Sequence, residues 1–184
     1  MPANTLNYAL YQAGWFACIL GAAWQQEVAG VVIAILLMAV HLWLSQERDV
    51  EVRLMATALL VGTIVESFQS AAGTYVSTTV LDLGGNQPIW LLTLWAQFAI
   101  TFRYCLRGVL RRPWAALLLG ACGGPLAFLA ADRLGALTLQ PPLGAGLLRI
   151  SAAWTIALLL FSGVTRRWSA DTDGGYRRLP GGGN

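Results

Sequence analysis

Glu66 is the residue whose type and position could best do chemistry in this sequence. It lies in the middle of a hydrophobic run, residues 54–76, that is long enough to cross a bilayer. Placing a carboxylate at that depth costs about 3 kcal/mol on insertion scales. Gly62 and Ser70 recur with Glu66 at helical spacing and make one face of the helix small and polar. Because lipid offers that face no hydrogen-bond partners, it must point into protein.

Motifs of known catalytic sites are missing from the sequence, which contains no GxSxG, no HExxH and no paired acidic motif. Ser67 and Ser70 flank Glu66, but no nearby histidine could activate either hydroxyl. His41 is the only histidine, so one chain cannot supply a bis-histidine haem site or a histidine-rich zinc site. We therefore expect no metal and no cofactor, and the sequence assigns no catalytic residue.

Composition excludes a soluble domain, because 57% of the 184 residues are hydrophobic, only 11% are charged and the mean hydropathy is positive. The net charge of +3 comes from arginine, since the chain has no lysine. In such a protein the charge reflects orientation rather than a nucleic-acid partner. Several tryptophans lie near the ends of apolar runs, as in the aromatic belt of membrane proteins: Trp24, Trp43, Trp90, Trp114 and Trp168.

Six apolar runs predict an all-α polytopic membrane protein, a bundle of six transmembrane helices. The predicted spans are residues 7–24, 28–44, 54–76, 88–106, 113–131 and 147–165. The connections are short, so we expect one transmembrane domain over residues 1–168. The Gly-rich polar tail, residues 169–184, is expected to be disordered and cytoplasmic.

Arginine positions predict the orientation of these spans. If the spans alternate, one side of the membrane collects most of the arginines, and the other side holds Arg133. The positive-inside rule therefore places both termini in the cytoplasm of a multi-pass membrane protein. The arginines on the cytoplasmic side are Arg48, Arg53, Arg107, Arg111, Arg112, Arg166, Arg167, Arg177 and Arg178.

The fifth span contains the sequence GACGGPLAF, which combines small residues with a proline. Gly120 and Gly124 form a small-xxx-small seam that lets another helix or a partner protein approach closely. Pro125 cannot donate a hydrogen bond to the carbonyl of Ala121, so it should kink the helix. The freed carbonyl needs a partner or a wet cavity. Tight packing around a kink and a ligand site are both compatible with this sequence.

Polar groups on several spans fall near one depth in the membrane. Glu66 lies roughly 18 Å along its helix at 1.5 Å per residue. Polar side chains of other spans, and the predicted helix break at the Gly-Gly-Pro segment, fall near the same depth. This predicts a small polar pocket at the midplane of the bilayer. Its candidate lining residues are Glu66, Gln69, Ser70, Gln97, Gly123, Gly124, Pro125, Gln12 and Thr155.

Four other ionisable residues are expected to have structural roles. His41 and Arg103 lie near the predicted cytoplasmic boundary, where we expect them to face the interface. Asp132 and Arg149 lie at similar depth on the outer side, which predicts a salt bridge between them.

Three segments of the chain resemble a known family. YQAGWFACILGAAW (11–24), PIWLLTLWAQFAIT (88–101) and LLGACGGPLAFLAADRLGA (118–136) resemble the bacterial membrane proteins catalogued as domain of unknown function 2878. The resemblance covers nearly all of the chain except the C-terminal tail. It implies a location in the bacterial inner membrane and an acid in the third helix, usually aspartate, where this chain has Glu66. Phe128 stands where the family leads us to expect tyrosine. Members are encoded near enzymes that remodel fatty acyl chains, which implies a role connected with lipid.

Three hypotheses about function follow, all of them for a protein of the lipid bilayer. The first is a protein that binds or moves a lipid-like or small amphipathic molecule, with Glu66 and the Gly-Gly-Pro break lining its pocket. The second is a structural or assembly subunit that packs on a partner through Gly120 and Gly124. The third is an intramembrane enzyme acting on fatty acyl chains, with Glu66 as general acid or base. We favour the first and lean against the enzyme, because no activating partner for Glu66 can be named.

Overall fold

The computed structural model describes residues 3–77 and 87–168, which form seven α-helices and two short strands. The predicted disordered tail, residues 169–184, lies outside the described residues. In chain order the elements are α1 (Ala3–Ala23), α2 (Glu27–Leu44), α3 (Arg48–Ala71), β1 (Tyr75–Val76), α4 (Ile89–Ala99), α5 (Arg107–Leu110), α6 (Pro113–Leu134), β2 (Thr138–Leu139) and α7 (Leu143–Trp168).

Three of these helices, α2, α6 and α7, are long and apolar enough to cross a membrane. α4 is also apolar but has only 11 residues. Large apolar side chains are exposed along the outside of the helices, for example Leu36, Ile64, Leu126 and Leu148. Because soluble proteins rarely expose so much apolar surface, these features indicate a membrane protein. The prediction of an all-helical membrane protein is confirmed at this level.

The third predicted span, residues 54–76, is shifted in the structure. α3 begins at Arg48, six residues earlier, and ends at Ala71. Tyr75 and Val76, which were predicted to be helical, instead form β1 and pair antiparallel with β2. Gly73 has a φ of 60° at the turn between α3 and β1, a conformation that glycine adopts without steric cost.

The fourth predicted span, residues 88–106, is not one continuous helix. α4 ends at Ala99, and the chain continues in tight turns with hydrogen bonds between residues three apart. Polar side chains donate hydrogen bonds to backbone carbonyls in this segment. Thr101 Oγ1 donates to the carbonyl of Phe98 (2.6 Å), and Asn7 Nδ2 donates to the carbonyl of Ile100 (2.8 Å). This competition from side chains explains why the regular helix stops within the apolar run.

α4 is the central helix of the molecule. It packs against α1, α2 and α3, and most of its side chains are buried, including Trp90 and Trp95. α1 lies along α2, and α6 lies along α7, whereas α1 and α6 touch over a much smaller surface. The molecule is therefore two helix pairs held together by α3 and α4, and α1 and α6 touch each other over only a small surface.

Candidate functional site

Glu66 is fully buried and both of its carboxyl oxygens have partners. Oε1 accepts a hydrogen bond from Trp95 Nε1 of α4 (2.9 Å), and Oε2 accepts one from the hydroxyl of Tyr75 in β1 (2.8 Å). Gly62, one turn earlier on α3, makes this possible, because a β-carbon there would lie 2.6 Å from Cδ1 of Trp95. The polar face predicted on this helix thus contacts the indole of Trp95.

Gln69 and Ser70 lie at the end of α3, where they hold the turn into β1. Gln69 Oε1 accepts a hydrogen bond from the hydroxyl of Thr74 (2.8 Å), and its carbonyl accepts one from the Thr74 N–H (3.0 Å). The Ser70 carbonyl accepts a hydrogen bond from the N–H of Gly73 (2.9 Å). These two candidate residues therefore fix a chain reversal next to Tyr75, the partner of Glu66.

Gln97 ties α4 to α1. Its Nε2 donates to the carbonyl of Leu10 (3.2 Å), and its side chain fits against Gly14, where a β-carbon would overlap it. Asn7 makes the reciprocal bond from α1 to the end of α4, at Ile100. Gln12 is half-buried on α1. Gln97 is thus a link between helices rather than part of a shared pocket with Glu66.

The Gly-Gly-Pro segment lies within a continuous helix, α6, and packs against α7. The carbonyl of Ala121, which Pro125 leaves without its helical partner, accepts a hydrogen bond from Ser151 Oγ of α7 (3.0 Å). The sequence therefore correctly indicated a carbonyl that needs a partner, and a serine on a neighbouring helix supplies it.

The two glycines of the small-residue seam lie against α7 of the same chain. A β-carbon at Gly120 would lie 2.9 Å from the carbonyl oxygen of Trp154, and one at Gly124 would lie 2.8 Å from Cβ of Trp154. Thr155 is half-buried beside Gly120. α7 therefore covers the surface through which a partner protein was expected to bind, and a partner would have to replace α7 there.

A cavity of about 230 Å³ lies between α1, α4 and α6, with Trp154 of α7 on one side. None of the described residues that line it is charged, and most are apolar or aromatic. It extends along α1 from Tyr8 to Ile19, roughly 16 Å at the helical rise of 1.5 Å per residue. The aromatic residues of the lining are Tyr8, Tyr11, Trp15, Trp90, Trp95, Phe98, Phe128 and Trp154.

Of the nine candidate pocket residues, Gly123 lines this cavity. Glu66 is separated from it by Trp95, whose indole both lines the cavity and donates to Glu66. Gly124 contacts Trp154, a lining residue, and Thr155 follows Trp154 on α7, whereas the remaining candidates lie at turns and helix contacts. Sequence reasoning did not find the aromatic lining, because it assigned Trp90 to the membrane interface, whereas Trp90 is 1% exposed in the core.

A buried ionic cluster joins α2, α3 and the segment after α4, and sequence reasoning missed it. Arg103 lies 3.1 Å from Glu51 and 3.1 Å from Glu47, and Nε2 of His41 lies 3.3 Å from Oε2 of Glu51. His41 and Arg103 are buried, so the expectation that they face the interface is wrong. Glu47 and Glu51 are four residues apart, the spacing that puts two acids on one helical face, and this signal was available in the sequence.

The predicted salt bridge between Asp132 and Arg149 is not formed in the described structure. Asp132 Oδ1 instead accepts a hydrogen bond from the N–H of Leu139 (2.9 Å). This bond fixes β2, which in turn holds β1 and Tyr75 next to Glu66. A backbone N–H near in sequence has taken the place of the expected cation.

Comparison with known proteins shows the family of this chain. The model of the family described as "Protein of unknown function (DUF2878)" matches residues 4–160, most of the chain, and the chain therefore belongs to that family. No curated protein and no solved structure matches it.

Proposed function

We propose that this member of the DUF2878 family is a bacterial inner-membrane protein that binds or moves a lipid-like molecule in the aromatic cavity between α1, α4 and α6. The observation that carries the proposal is the uncharged lining of that cavity, which consists mostly of apolar and aromatic residues. An apolar cavity disfavours water, which needs several polar partners to be held. An apolar ligand that resides in the bilayer is the matching occupant.

Six membrane spans are part of the proposal, and hydrogen bonds between helix ends support them. The start of α1 bonds the end of the α4 segment through Asn7, the end of α2 contacts the start of α3 through His41, and Ser162 of α7 bonds the carbonyl of Leu110 in α5. These helix ends are the ones that the arginine count assigns to the cytoplasm. Alternating spans with both termini in the cytoplasm agree with this arrangement.

α1 and α3 belong among the six spans because the polar side chains of Asn7 and Glu66 are hydrogen-bonded inside the bundle. Asn7 and Glu66 both have hydrogen-bond partners on α4 or its continuation. A polar group in a membrane helix is tolerated when a neighbouring helix pairs with it. α1 and α3 can therefore cross the membrane with a lower mean hydropathy than a single helix that is surrounded by lipid.

The weak contact between α1 and α6 is the entry route that we assign to the ligand. Tyr8 lines the cavity and is 54% exposed, so the lining reaches the surface of the molecule beside α1. A ligand arriving from the bilayer would pass between two helices rather than through the aqueous phase. Helices that pack over a small surface separate at lower cost than α6 and α7, which pack closely along their length.

Glu66 has a supporting role in this proposal. Its carboxyl group holds the indole of Trp95 in the cavity wall and joins it to Tyr75. A role for Glu66 as general acid or base stays a prediction, as does the assembly-subunit hypothesis.

Filling the cavity tests the proposal. Ala127 lines the cavity on α6, whereas its neighbour Leu126 is 64% exposed on the outer face of the same helix. Ala127→Phe should remove most of the specifically bound lipid, and Leu126→Phe should retain it. The readout is mass spectrometry of lipids that remain with protein purified in gentle detergent, compared with an unrelated membrane protein from the same cells. Equal specific lipid in both variants, or none with the wild type, would reject the cavity as the binding site.

A further inference from the structure

Two tryptophans of the cavity lining have an indole N–H without a hydrogen-bond partner among the described residues. Trp90 and Trp154 both line the cavity, and Nε1 of each is buried without a partner among the described residues. The indole N–H is a donor only. A buried donor without an acceptor is disfavoured, so such groups in a native protein call for an explanation.

Neighbouring groups explain the third indole of the wall but not these two. Trp95, whose ring is tilted by 39° relative to that of Trp154 with centroids 4.9 Å apart, donates its N–H to Glu66. The hydroxyl of Thr101, another lining residue, donates to the carbonyl of Phe98 and accepts from neither indole N–H in the described structure. Glu66 thus supplies an acceptor for the indole N–H of Trp95, whereas the indole N–H groups of Trp90 and Trp154 have none among the described residues.

We propose that the ligand of this cavity is a neutral lipid that presents carbonyl oxygens to Nε1 of Trp90 and of Trp154. A carbonyl oxygen accepts hydrogen bonds without bringing a donor of its own, which matches a donor-only indole. No cationic side chain is present among the described lining residues to pair with a phosphate or a carboxylate, and a buried charge without a partner is strongly disfavoured. This inference rests on the proposed function and specifies the chemistry of its ligand.

Two classes of membrane molecule carry neutral carbonyl oxygens on an apolar body: acyl esters such as diacylglycerol, and quinones. Three probes separate carbonyl recognition from apolar binding and distinguish the two sources. They are 1,2-dioctanoylglycerol, its ether analogue 1,2-di-O-octylglycerol, which keeps the chains and hydroxyl but lacks the carbonyls, and decylubiquinone.

The experiment measures the indole N–H signals of the full-length protein in micelles by NMR, with ¹⁵N in the tryptophan rings. Trp90→Phe and Trp154→Phe assign the two signals and remove one donor each while keeping an aromatic ring. Trp114, which is 62% exposed at the start of α6, provides the matched control through Trp114→Phe. If Trp90→Phe does not fold, the shifts of the wild-type signals still report whether a carbonyl binds.

Supporting outcomes are specific to the carbonyl group. Dioctanoylglycerol or decylubiquinone should move the Trp90 and Trp154 N–H signals downfield and leave the Trp114 signal in place, and whichever does so identifies the source. The ether analogue should bind at least several-fold more weakly than the ester. Trp90→Phe and Trp154→Phe should each weaken binding of the effective probe about tenfold, the expected loss for one neutral hydrogen bond.

The opposing outcomes separate this inference from the proposed function. Equal binding of the ester and the ether without indole shifts would overturn carbonyl recognition and leave lipid binding intact. Failure of all three probes to bind while lipid still remains with the purified protein would likewise reject this ligand class alone. Failure of all probes together with the absence of specific lipid would reject both.

Discussion

The surroundings of Glu66 could be predicted from the sequence only in part. Helical spacing with Gly62 predicted that the carboxyl group faces protein, and the structure places it against Trp95. Its partners could not be predicted, because Trp95 is 29 residues away in sequence and Tyr75 lies in a strand that hydropathy assigned to the helix. Both oxygens of this carboxyl group, the candidate general acid or base, accept hydrogen bonds from side chains of the protein.

Replacing Glu66 tests its supporting role. Glu66→Ala leaves the donors of Trp95 and Tyr75 buried without acceptors, which should cost about 1–3 kcal/mol for each donor. Glu66→Gln keeps one acceptor oxygen and should destabilise less than Glu66→Ala. Thermal unfolding of purified protein in detergent measures both. A Glu66→Gln protein of unchanged stability that loses a lipid product in cells would instead point to general acid–base catalysis.

The Ala121 carbonyl gives a second prediction for individual residues. Ser151→Ala should cost about 1 kcal/mol, because it removes the hydrogen bond that replaces the one lost at Pro125. In a Pro125→Ala background the new N–H at position 125 can bond Ala121 within α6, so Ser151→Ala should then cost less. A double-mutant cycle measured by unfolding gives this coupling. Additive effects of the two substitutions would show that Ser151 and Pro125 act independently.

The elements were largely predictable from hydropathy, and the exceptions have physical causes. α1, α2, α6 and α7 begin and end within a few residues of the predicted spans, since long apolar runs determine them. α4 stops early because Asn7, from a different helix, competes for its carbonyl at Ile100. α3 starts earlier than predicted because Arg103 forms ion pairs with Glu47 and Glu51, which hydropathy assigned to a loop. Both causes are contacts distant in sequence, which periodicity does not contain.

The contact between α6 and α7 gives a prediction at the scale of elements. Gly124→Ala should destabilise the protein, because the added β-carbon overlaps Trp154 and forces the two helices apart. Gly163→Ala on α7 is the matched control, since a β-carbon there meets no atom within 4 Å. We expect a loss of about 1–3 kcal/mol for Gly124→Ala and no loss for Gly163→Ala in thermal unfolding. Similar stabilities for the two variants would show that α6 and α7 are not closely fitted.

At the scale of the whole molecule, the sequence predicted a polar pocket at the midplane, whereas the structure contains an aromatic cavity beside Trp95. The difference arises because aromatic residues that line a cavity and those that fill a core look the same in a sequence. Polar residues were the pocket candidates in the sequence, but Gln97 joins α4 to α1 and Gln69 stabilises the turn after α3. The cavity lies where α1 and α6 touch over only a small surface, and no residue type in the sequence indicates how closely two helices pack.

Orientation is the second property of the whole molecule that can be tested. Both termini are expected in the cytoplasm from the distribution of arginine. A green fluorescent protein fused after Asn184 should therefore fluoresce, while alkaline phosphatase at the same position should be inactive. Fusions in the loop between α4 and α6 should behave the same way, and fusions in the loop between α2 and α3 should do so as well. Active phosphatase at Asn184 would contradict an even number of spans with a cytoplasmic start.

The most direct test of a lipid-binding cavity is a crystal structure of the protein extracted together with its native membrane lipids. We expect elongated density in the cavity between α1, α4 and α6, lying against Trp95 and within hydrogen-bond distance of Trp90 and Trp154. We also expect that the same cavity in Ala127→Phe is occupied by the new phenyl ring and holds no such density. A wild-type structure in which ordered water fills the space, or in which α1 and α6 close together and eliminate it, would contradict the central claim.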